Sequence, residues 1–253
     1  MREVDYGDRK PLLKFISKEI KMTKYIDRYY LNGELYGIKF AEPGWQPWAN
    51  TLLYVPMDTD LLDHWPNNIT VTNSWDVSVG AVWWLSAGYF STNSSYLSAP
   101  IDNYISAAPF TVSCWVYWNW TYFAENTTSV FWMYLSWPYR WACVQNSNNW
   151  LRSERLGSWR IETYEYLTVN TWNHLVLTLT DSESVLYLNW TAIWNISWTW
   201  NSTFENFFIG RDWDNSNRCW SWYLSNFIIE STAWTSQEVS DYFNQTKSLY
   251  GIS

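Results

Sequence analysis

Carboxylates and amides crowd two short stretches of this 253-residue chain. GRDWDNSN (Gly210–Asn217) sets Asp212, Asp214 and Asn215 close to a D-x-D-x-N spacing, and MDTDLLDHW (Met57–Trp65) sets Asp58, Asp60 and Asp63 in a turn. Oxygen ligands so spaced suit a hard cation, and calcium is the cofactor they suggest. Neither stretch has the following glycine and distant glutamate of a helix-loop-helix calcium site, so loops folded round their own carboxylates are the plainer reading.

A second set of residues suits sugars. YRWACVQNSNNW (Tyr139–Trp150) and the stretch Arg211–Trp222 read as loops that supply Tyr139, Arg140, Gln145, Asn148, Asp212 and Asn217. Flat rings stack on the apolar face of a pyranose, while amides and carboxylates bond its hydroxyls. Catalytic sets are thinner. Glu162 and Glu165 in WRIETYEY are three apart, which on a strand points them to opposite faces, so they read as solvated charges rather than a glycosidase pair. Only His64 and His174 are available as imidazole bases, His174 sits in a strand that gives it a packing role, and no G-x-S-x-G turn exposes a nucleophile. No enzyme activity is expected.

Composition narrows the partners. Aromatic content of 21% excludes disorder, and charged residues at 16% leave a largely neutral surface. Residues 1–40 hold nine of the sixteen Lys and Arg, so the remainder carries seven bases against eighteen acids. An acidic body of this kind disfavours nucleic acid, which needs clustered basic side chains. Cys114, Cys143 and Cys219 are widely spaced and odd in number, so no disulfide framework or metal site follows. No apolar run approaches the ~18 residues of a membrane span, and the first residues do not read as a secretory signal.

The elements that must position these residues are mostly strands. KPLLKFISKEIKM (Lys10–Met22) has helical spacing, and RYYLNGELYGIKF (Arg28–Phe40) places Asn-Gly between two β-rich arms, a hairpin signal. AEPGWQPWA reads as a linker, which gives an N-terminal module over residues 1–45 and a main domain over 46–253. From Asn50 onward, short runs such as FTVSCWVYW, HLVLTLT, SVLYLN and YLSNFIIEST alternate with Asn, Ser and Thr clusters. The prediction is an all-β sandwich of two antiparallel sheets. One late helix is expected in SQEVSDYFNQTK, with Ser236 as its cap.

Tight turns need glycine, yet residues 45–253 contain only Gly80, Gly88, Gly157, Gly210 and Gly251, while all twenty-three tryptophans fall there. YLNWTAIWNISWTWN (Tyr187–Asn201) becomes an ordinary hairpin and loop if its four tryptophans stand in for glycine. UGA is read as tryptophan in one variant genetic code and as glycine in another, which supplies a mechanism. Trp190, Trp194, Trp198 and Trp200 are therefore expected at glycine positions of turns and loops, as are Trp118 and Trp120 in Val116–Phe123 and Trp213, Trp220 and Trp222 in Arg211–Phe227, whereas Trp115, Trp172 and Trp234 sit where an aromatic belongs.

With glycine at those positions, residues from about Asn50 to Tyr250 resemble the laminin-G-like, concanavalin A-like lectin and glucanase superfamily. The resemblance is carried by GYFSTNSSYLSAP, FTVSCWVYW, NTWNHLVLTLTDSESVLYLNW, FFIGRD and YLSNFIIESTAWTSQEV, in the family's order. It departs at Trp190, where the family pattern has glycine. The resemblance implies a jelly-roll sandwich that binds sugars or proteins, sometimes through calcium at a loop-rich rim. The expected function is non-catalytic recognition of a cell-surface glycan or protein, in an extracellular or virion-associated setting such as a phage fibre, with the N-terminal segment able to join copies of the chain. A purely structural particle protein and a glycoside hydrolase are the alternatives.

Overall fold

Every residue of FTVSCWVYW is buried, so this strand has no solvent face, and two layers must cover it. A computed structural model shows both. It describes residues 26–31, 34–40, 48–65, 67–74, 76–91, 94–101, 108–119, 127–135, 140–147, 150–155, 159–197, 204–211, 220 and 222–253. The chain divides into two units, Met1–Gln46 and Pro47–Ser253. In the first, β1 (Ile26–Leu31) pairs antiparallel with β2 (Glu34–Phe40), Leu31 opposite Glu34, as the hairpin signal predicts. The Asn32-Gly33 turn and the expected helix at residues 10–22 lie outside the described residues.

The second unit contains β3 (Thr51–Val55), β4 (Thr72–Ser74), β5 (Ser78–Val82), β6 (Leu85–Tyr89), β7 (Tyr96–Ala99), β8 (Phe110–Trp118), β9 (Thr127–Leu135), β10 (Arg140–Ser147), β11 (Trp150–Arg155), β12 (Trp159–Tyr166), β13 (Thr171–Leu179), β14 (Glu183–Leu188), β15 (Thr191–Ser197), β16 (Phe204–Ile209) and β17 (Tyr223–Glu230). They form two antiparallel sheets. One has seven strands in the order β12-β11-β10-β9-β16-β7-β4; the other has eight, in the order β15-β14-β13-β8-β17-β6-β5 with β3 also paired to β17. This is the expected all-β, two-sheet antiparallel sandwich. The segments Tyr139–Trp150 and Thr191–Ser197 depart from expectation, because β10, the start of β11 and β15 are strands where loops are expected. Trp194 accordingly sits in β15 opposite Leu186 and packs against the core, not in a loop. Trp118 at the end of β8 and Trp220 are buried in the core and Trp222 packs against it, so these three are not open-loop positions as expected; Trp120, Trp198, Trp200 and Trp213 lie outside the described residues.

Between the sheets, Val112, Cys114 and Val116 of β8, Leu175 and Leu177 of β13 and Phe227 of β17 meet Phe131 and Met133 of β9 and Phe207 of β16. Phe131, Phe207 and Phe227 pack across the layers with ring centroids 5.4–6.2 Å apart. Cys114 is a free thiol in this core. Alternation then places Ser113 and Trp115 on the outer side of β8, and Trp172 and His174 on the outer side of β13.

That outer side is covered by α1 (Ser236–Thr246) and a 3₁₀ turn (Lys247–Tyr250). Trp115 stacks on Tyr250 at 4.0 Å and 12°, on Phe243 at 5.5 Å and on His174 at 4.9 Å. The cap of α1 is Thr235 rather than Ser236: its hydroxyl accepts from the Glu238 N–H, and the Glu238 carboxylate accepts from the Thr235 N–H. Thr235-Ser-Gln-Glu238 is a capping box, and a cap one residue later would lose the reciprocal bond. A bulge in β17 locks the far end, since Ser225 and Asn226 both reach the Tyr250 hydroxyl, at 3.0 and 2.8 Å.

Two hairpin turns place tryptophan where backbone conformation calls for glycine. Asn189 and Trp190 join β14 to β15 with φ of 46° and 66°. Positive φ at both central residues is the Asn-Gly turn of a hairpin. Trp83 and Trp84 join β5 to β6 with φ of 57° at Trp83, the first-position glycine of the mirror turn. Trp83 is 55% exposed and Trp190 49%, so burial explains neither.

Two outcomes are expected. Replacing Trp115 with Ala removes the centre of the cover and costs about 3–5 kcal/mol of stability, read by denaturant unfolding. Glu230, buried at the end of β17, accepts a hydrogen bond from the Thr51 hydroxyl at one carboxylate oxygen and has no partner at the other. Burial, opposed by Thr51 and reinforced by Glu238, pushes its pKa from 4.5 up to about 7. The folded state therefore holds a proton that the unfolded state releases, and this group's contribution to stability falls as pH rises from about 4.5 to about 7. Glu230→Gln should abolish that component, gaining on the wild type through the window and levelling off above it, in urea titrations at several pH values.

Candidate functional site

Of the residues expected to bind ligand, Tyr139, Asn148, Asp212 and Asn217 lie outside the described residues, as do Asp214 and Asn215 of the expected calcium set. Arg140 and Gln145 are placed, but in a strand. Arg140 pairs with Leu135, and Gln145 with Ser129 and Arg152, so β10 is held on both sides in the seven-stranded sheet. RWACVQNS looks loop-like because it mixes small and polar residues; pairing on both edges overrides that propensity. Glu162 and Glu165 fall in β12, at one edge of the same sheet, and Glu165 is exposed.

The other acidic stretch folds round its own carboxylates. Asp63 accepts the N–H groups of Tyr54, Trp65 and Ile69 at 3.0, 3.1 and 2.8 Å, and so holds the turn after β3. Asp60 accepts from the Leu62 N–H and meets His64 Nε2 at 2.8 Å. Burial raises the Asp60 pKa, but these two partners outweigh it and the net shift is downward. Among the described residues, no three His, Cys, Asp or Glu side chains gather as they would round a metal ion.

Ser113 Oγ lies 2.8 Å from His174 Nε2, the distance of a nucleophile and its base. Both residues are fully buried, and Trp115, Tyr242 and Phe243 pack round the imidazole at 4.9–6.0 Å. Burial pushes the His174 pKa down to about 3, so the ring is neutral at ordinary pH. The His174 backbone N–H donates to Asn189 Oδ1 at 2.8 Å, and the Asn189 backbone N–H returns a bond to the His174 carbonyl. The pair ties β8 to β13 and to the Asn189–Trp190 turn. This is the packing and hydrogen-bonding role expected for His174.

A more accessible constellation lies on the outer face of the seven-stranded sheet. Leu97, Ala99, Phe207 and Ile209 point into the core, so Tyr96, Ser98 and Phe208 face outward and are partly exposed. Tyr96 and Phe208 meet edge to face at 5.9 Å. After β16 the chain turns at Gly210, with φ of 82°, where a Cβ would lie 2.5 Å from the Phe90 ring. This turn brings Arg211 over the two rings, its guanidinium carbon 4.5 Å from the Tyr96 centroid and 6.0 Å from that of Phe208. Cation–π contacts of this kind hold the guanidinium plane by about 0.5–1 kcal/mol at exposed sites. The result is a ring-and-guanidinium platform at the start of the Arg211–Trp222 stretch.

None of Tyr96, Ser98, Phe208 and Arg211 was singled out in the sequence. Tyr96 and Ser98 alternate with Leu97 and Ala99, which marks them as outward-facing, but only the pairing of β7 with β16 brings Tyr96 to Phe208.

No protein-family model and no curated protein sequence matches this chain. Solved structures with the same fold do. Domain 4 of AbnA, a GH43 extracellular arabinanase from Geobacillus stearothermophilus, in complex with arabinotriose, has a TM-score of 0.59 at 19% identity, over 76% of this chain and 97% of that one. The receptor binding domain of botulinum neurotoxin D has a TM-score of 0.61 at 13% identity, over 77% of this chain and 52% of that one. The binding domain of Paraclostridial Mosquitocidal Protein 1 has a TM-score of 0.57 at 14% identity and likewise covers 77% and 52%. This chain thus spans about half the length of the toxin binding domains. At these identities the likeness is one of fold, a β-sandwich shared with carbohydrate- and receptor-binding domains.

Proposed function

We propose that this chain is a non-catalytic recognition module that binds a surface glycan, as part of a virion or surface-attachment protein. The observation that carries this reading is the Arg211 guanidinium held over Tyr96 and Phe208 on an outer sheet face. Rings of this kind offer a flat apolar surface to a pyranose or furanose, and guanidinium N–H groups donate to hydroxyl oxygens. The arabinotriose complex of AbnA domain 4 supports it by showing that a sandwich of this fold takes an oligosaccharide. The Ser113–His174 pair is buried, so it offers no accessible nucleophile and base to a substrate.

Screening the protein on a printed glycan array, followed by titration of the best ligand, tests the reading. Arg211→Ala and Tyr96→Ala should each weaken binding roughly tenfold with unfolding unchanged. Incubation with the bound glycan should release no reducing sugar. Release that disappears in Glu162→Gln or Glu165→Gln would replace this reading with a glycoside hydrolase.

The same reading assigns glycine to the tryptophan positions of the two hairpin turns. Turn type supports it at Trp83 and Trp190 independently, since each occupies the position that its own turn reserves for glycine. The coding sequence should carry UGA at codons 83 and 190. Intact mass of the protein from its native source should fall short of the printed sequence by one tryptophan-to-glycine difference per such codon, and UGG at both codons would sink the assignment.

A further inference from the structure

The C-terminal cover leaves part of the eight-stranded sheet open. Tyr223 of β17 stands opposite both Tyr89 of β6 and Tyr117 of β8, and Tyr117 stands opposite Trp172 of β13. Opposed residues of antiparallel strands share a face. Their neighbours Leu224 and Val116 point into the core, so these four rings form a ladder on the outer side. Successive centroids are 4.9, 6.2 and 5.6 Å apart. Tyr250 closes the Trp172 end at 5.0 Å, whereas Tyr89 and Tyr223 at the other end are partly exposed. Gly80 of β5 makes room for them: a Cβ there would come within 3.0 Å of the Tyr223 ring and 3.1 Å of Tyr89 Cβ. The Trp83–Trp84 turn rises beside the row. Trp83 meets Tyr117 edge-on at 5.6 Å, and Trp84, 69% exposed, is fixed by its Nε1–H donating to the Leu249 carbonyl at 3.2 Å.

We propose that Tyr89 and Tyr223, the partly exposed end of this ring ladder with Tyr117 buried behind them, form a second carbohydrate-binding surface, on the sheet opposite the Arg211 platform, and that it takes an uncharged oligosaccharide. The inference rests on the reading of the chain as a glycan-recognition module and gives that reading a second site and a ligand class. Charge selects the ligand. The row carries no group ionised at neutral pH, and it sits on a body with eighteen acids against seven bases beyond residue 40, so a sulfated or sialylated chain is repelled. Burial, together with the neighbouring Tyr89 and Tyr117, raises the Tyr223 pKa, which keeps its hydroxyl as both donor and acceptor. Tyrosine gives a wide rigid face at low entropic cost, and a ladder of such faces suits consecutive sugar rings. Glycine at position 83 would take the indole off Tyr117 and lengthen the open row, so the site stands with either residue there.

The test is titration of the full chain with neutral and sialylated oligosaccharides, arabinotriose among the neutral probes, by calorimetry. A neutral probe should bind at two sites. Tyr223→Ala should remove one, or weaken it about tenfold, while Arg211→Ala removes the other. Gly80→Ala, which displaces the Tyr223 ring without deleting it, should weaken the same site as Tyr223→Ala, and Tyr223→Phe should retain most of the binding. These two variants separate the site from a folding defect. A single site abolished by Arg211→Ala and indifferent to Tyr223→Ala and Gly80→Ala would overturn the inference and leave the module reading intact. Preference for the sialylated probe at the Tyr223 site, or capture of a protein there in place of sugar, would overturn it also. No binding of any glycan by the wild type would remove the module reading and the inference together.

Discussion

The ring of Tyr250 lying flat on the indole of Trp115, at 4.0 Å, decides what the eight-stranded sheet can be. Strands β8, β13 and β17 are buried on both faces, so the sandwich core supplies only half of their cover. The rest comes from α1 and the turn that follows it, delivered by Trp115, His174 and Phe243 and held by the β17 bulge at Ser225 and Asn226. Burying each large ring is worth about 1.5–3 kcal/mol, and five or six of them meet here. The cover also confines function. It seals the Ser113–His174 pair and leaves Tyr89 and Tyr223, on the β5–β6 side of this sheet, partly exposed, while the described helix packs away from the outer face that carries Tyr96, Phe208 and Arg211.

Much of this was legible where sequence and environment agree. FTVSCWVYW reads as a strand and its nine residues match β8 end to end, Trp118 included, although that residue is also expected in a glycine loop. The tryptophans assigned to packing, Trp115, Trp172 and Trp234, are all buried. What could not be read were strands decided by their neighbours. β10 and β15 carry Asn, Ser and Trp in loop-like proportion, and they are strands because β9, β11 and β14 offer free edges. The platform residues were hidden for a related reason. Tyr96 lies far along the chain from Phe208 and Arg211, and only the pairing of β7 with β16 makes them neighbours. Of the six ligand contacts that the sequence placed on loops, Tyr139, Asn148, Asp212 and Asn217 fall outside the described residues, and Arg140 and Gln145 lie in β10.

Glycine scarcity has its own structural expression. Among the described residues, eight that are not glycine have positive φ, and five of these are Asn or Asp, whose short polar side chains tolerate that region. The exceptions are Met57, Trp83 and Trp190. Met57 is fully buried and its sulfur lies where a Gly88 Cβ would come within 2.8 Å, so packing fixes its conformation. No such constraint acts on the two exposed indoles. Strand twist sets the turn type, the turn type sets φ, and the side chain has to follow. Positive φ in that position is imposed by the pairing on either side of it, Val82 with Leu85 and Leu188 with Thr191.

The same logic bears on what the indoles do for the C-terminal cover. Trp190 reaches Phe243 at 4.4 Å, and Trp84 bonds the Leu249 carbonyl and rests on Gly251, where a Cβ would meet its ring at 3.1 Å. Both therefore touch the segment that seals the sheet, but from its rim. The centre of that seal, Trp115 with Tyr250, Phe243 and His174, uses neither. A chain with glycine in the two turns would keep the seal, relax the backbone at positions 83 and 190, and expose more of the tyrosine row. Conformation at the turns and stability of the cover are thus separable, and the surfaces proposed for recognition belong to the sheets rather than to the tryptophans that first draw attention in the sequence.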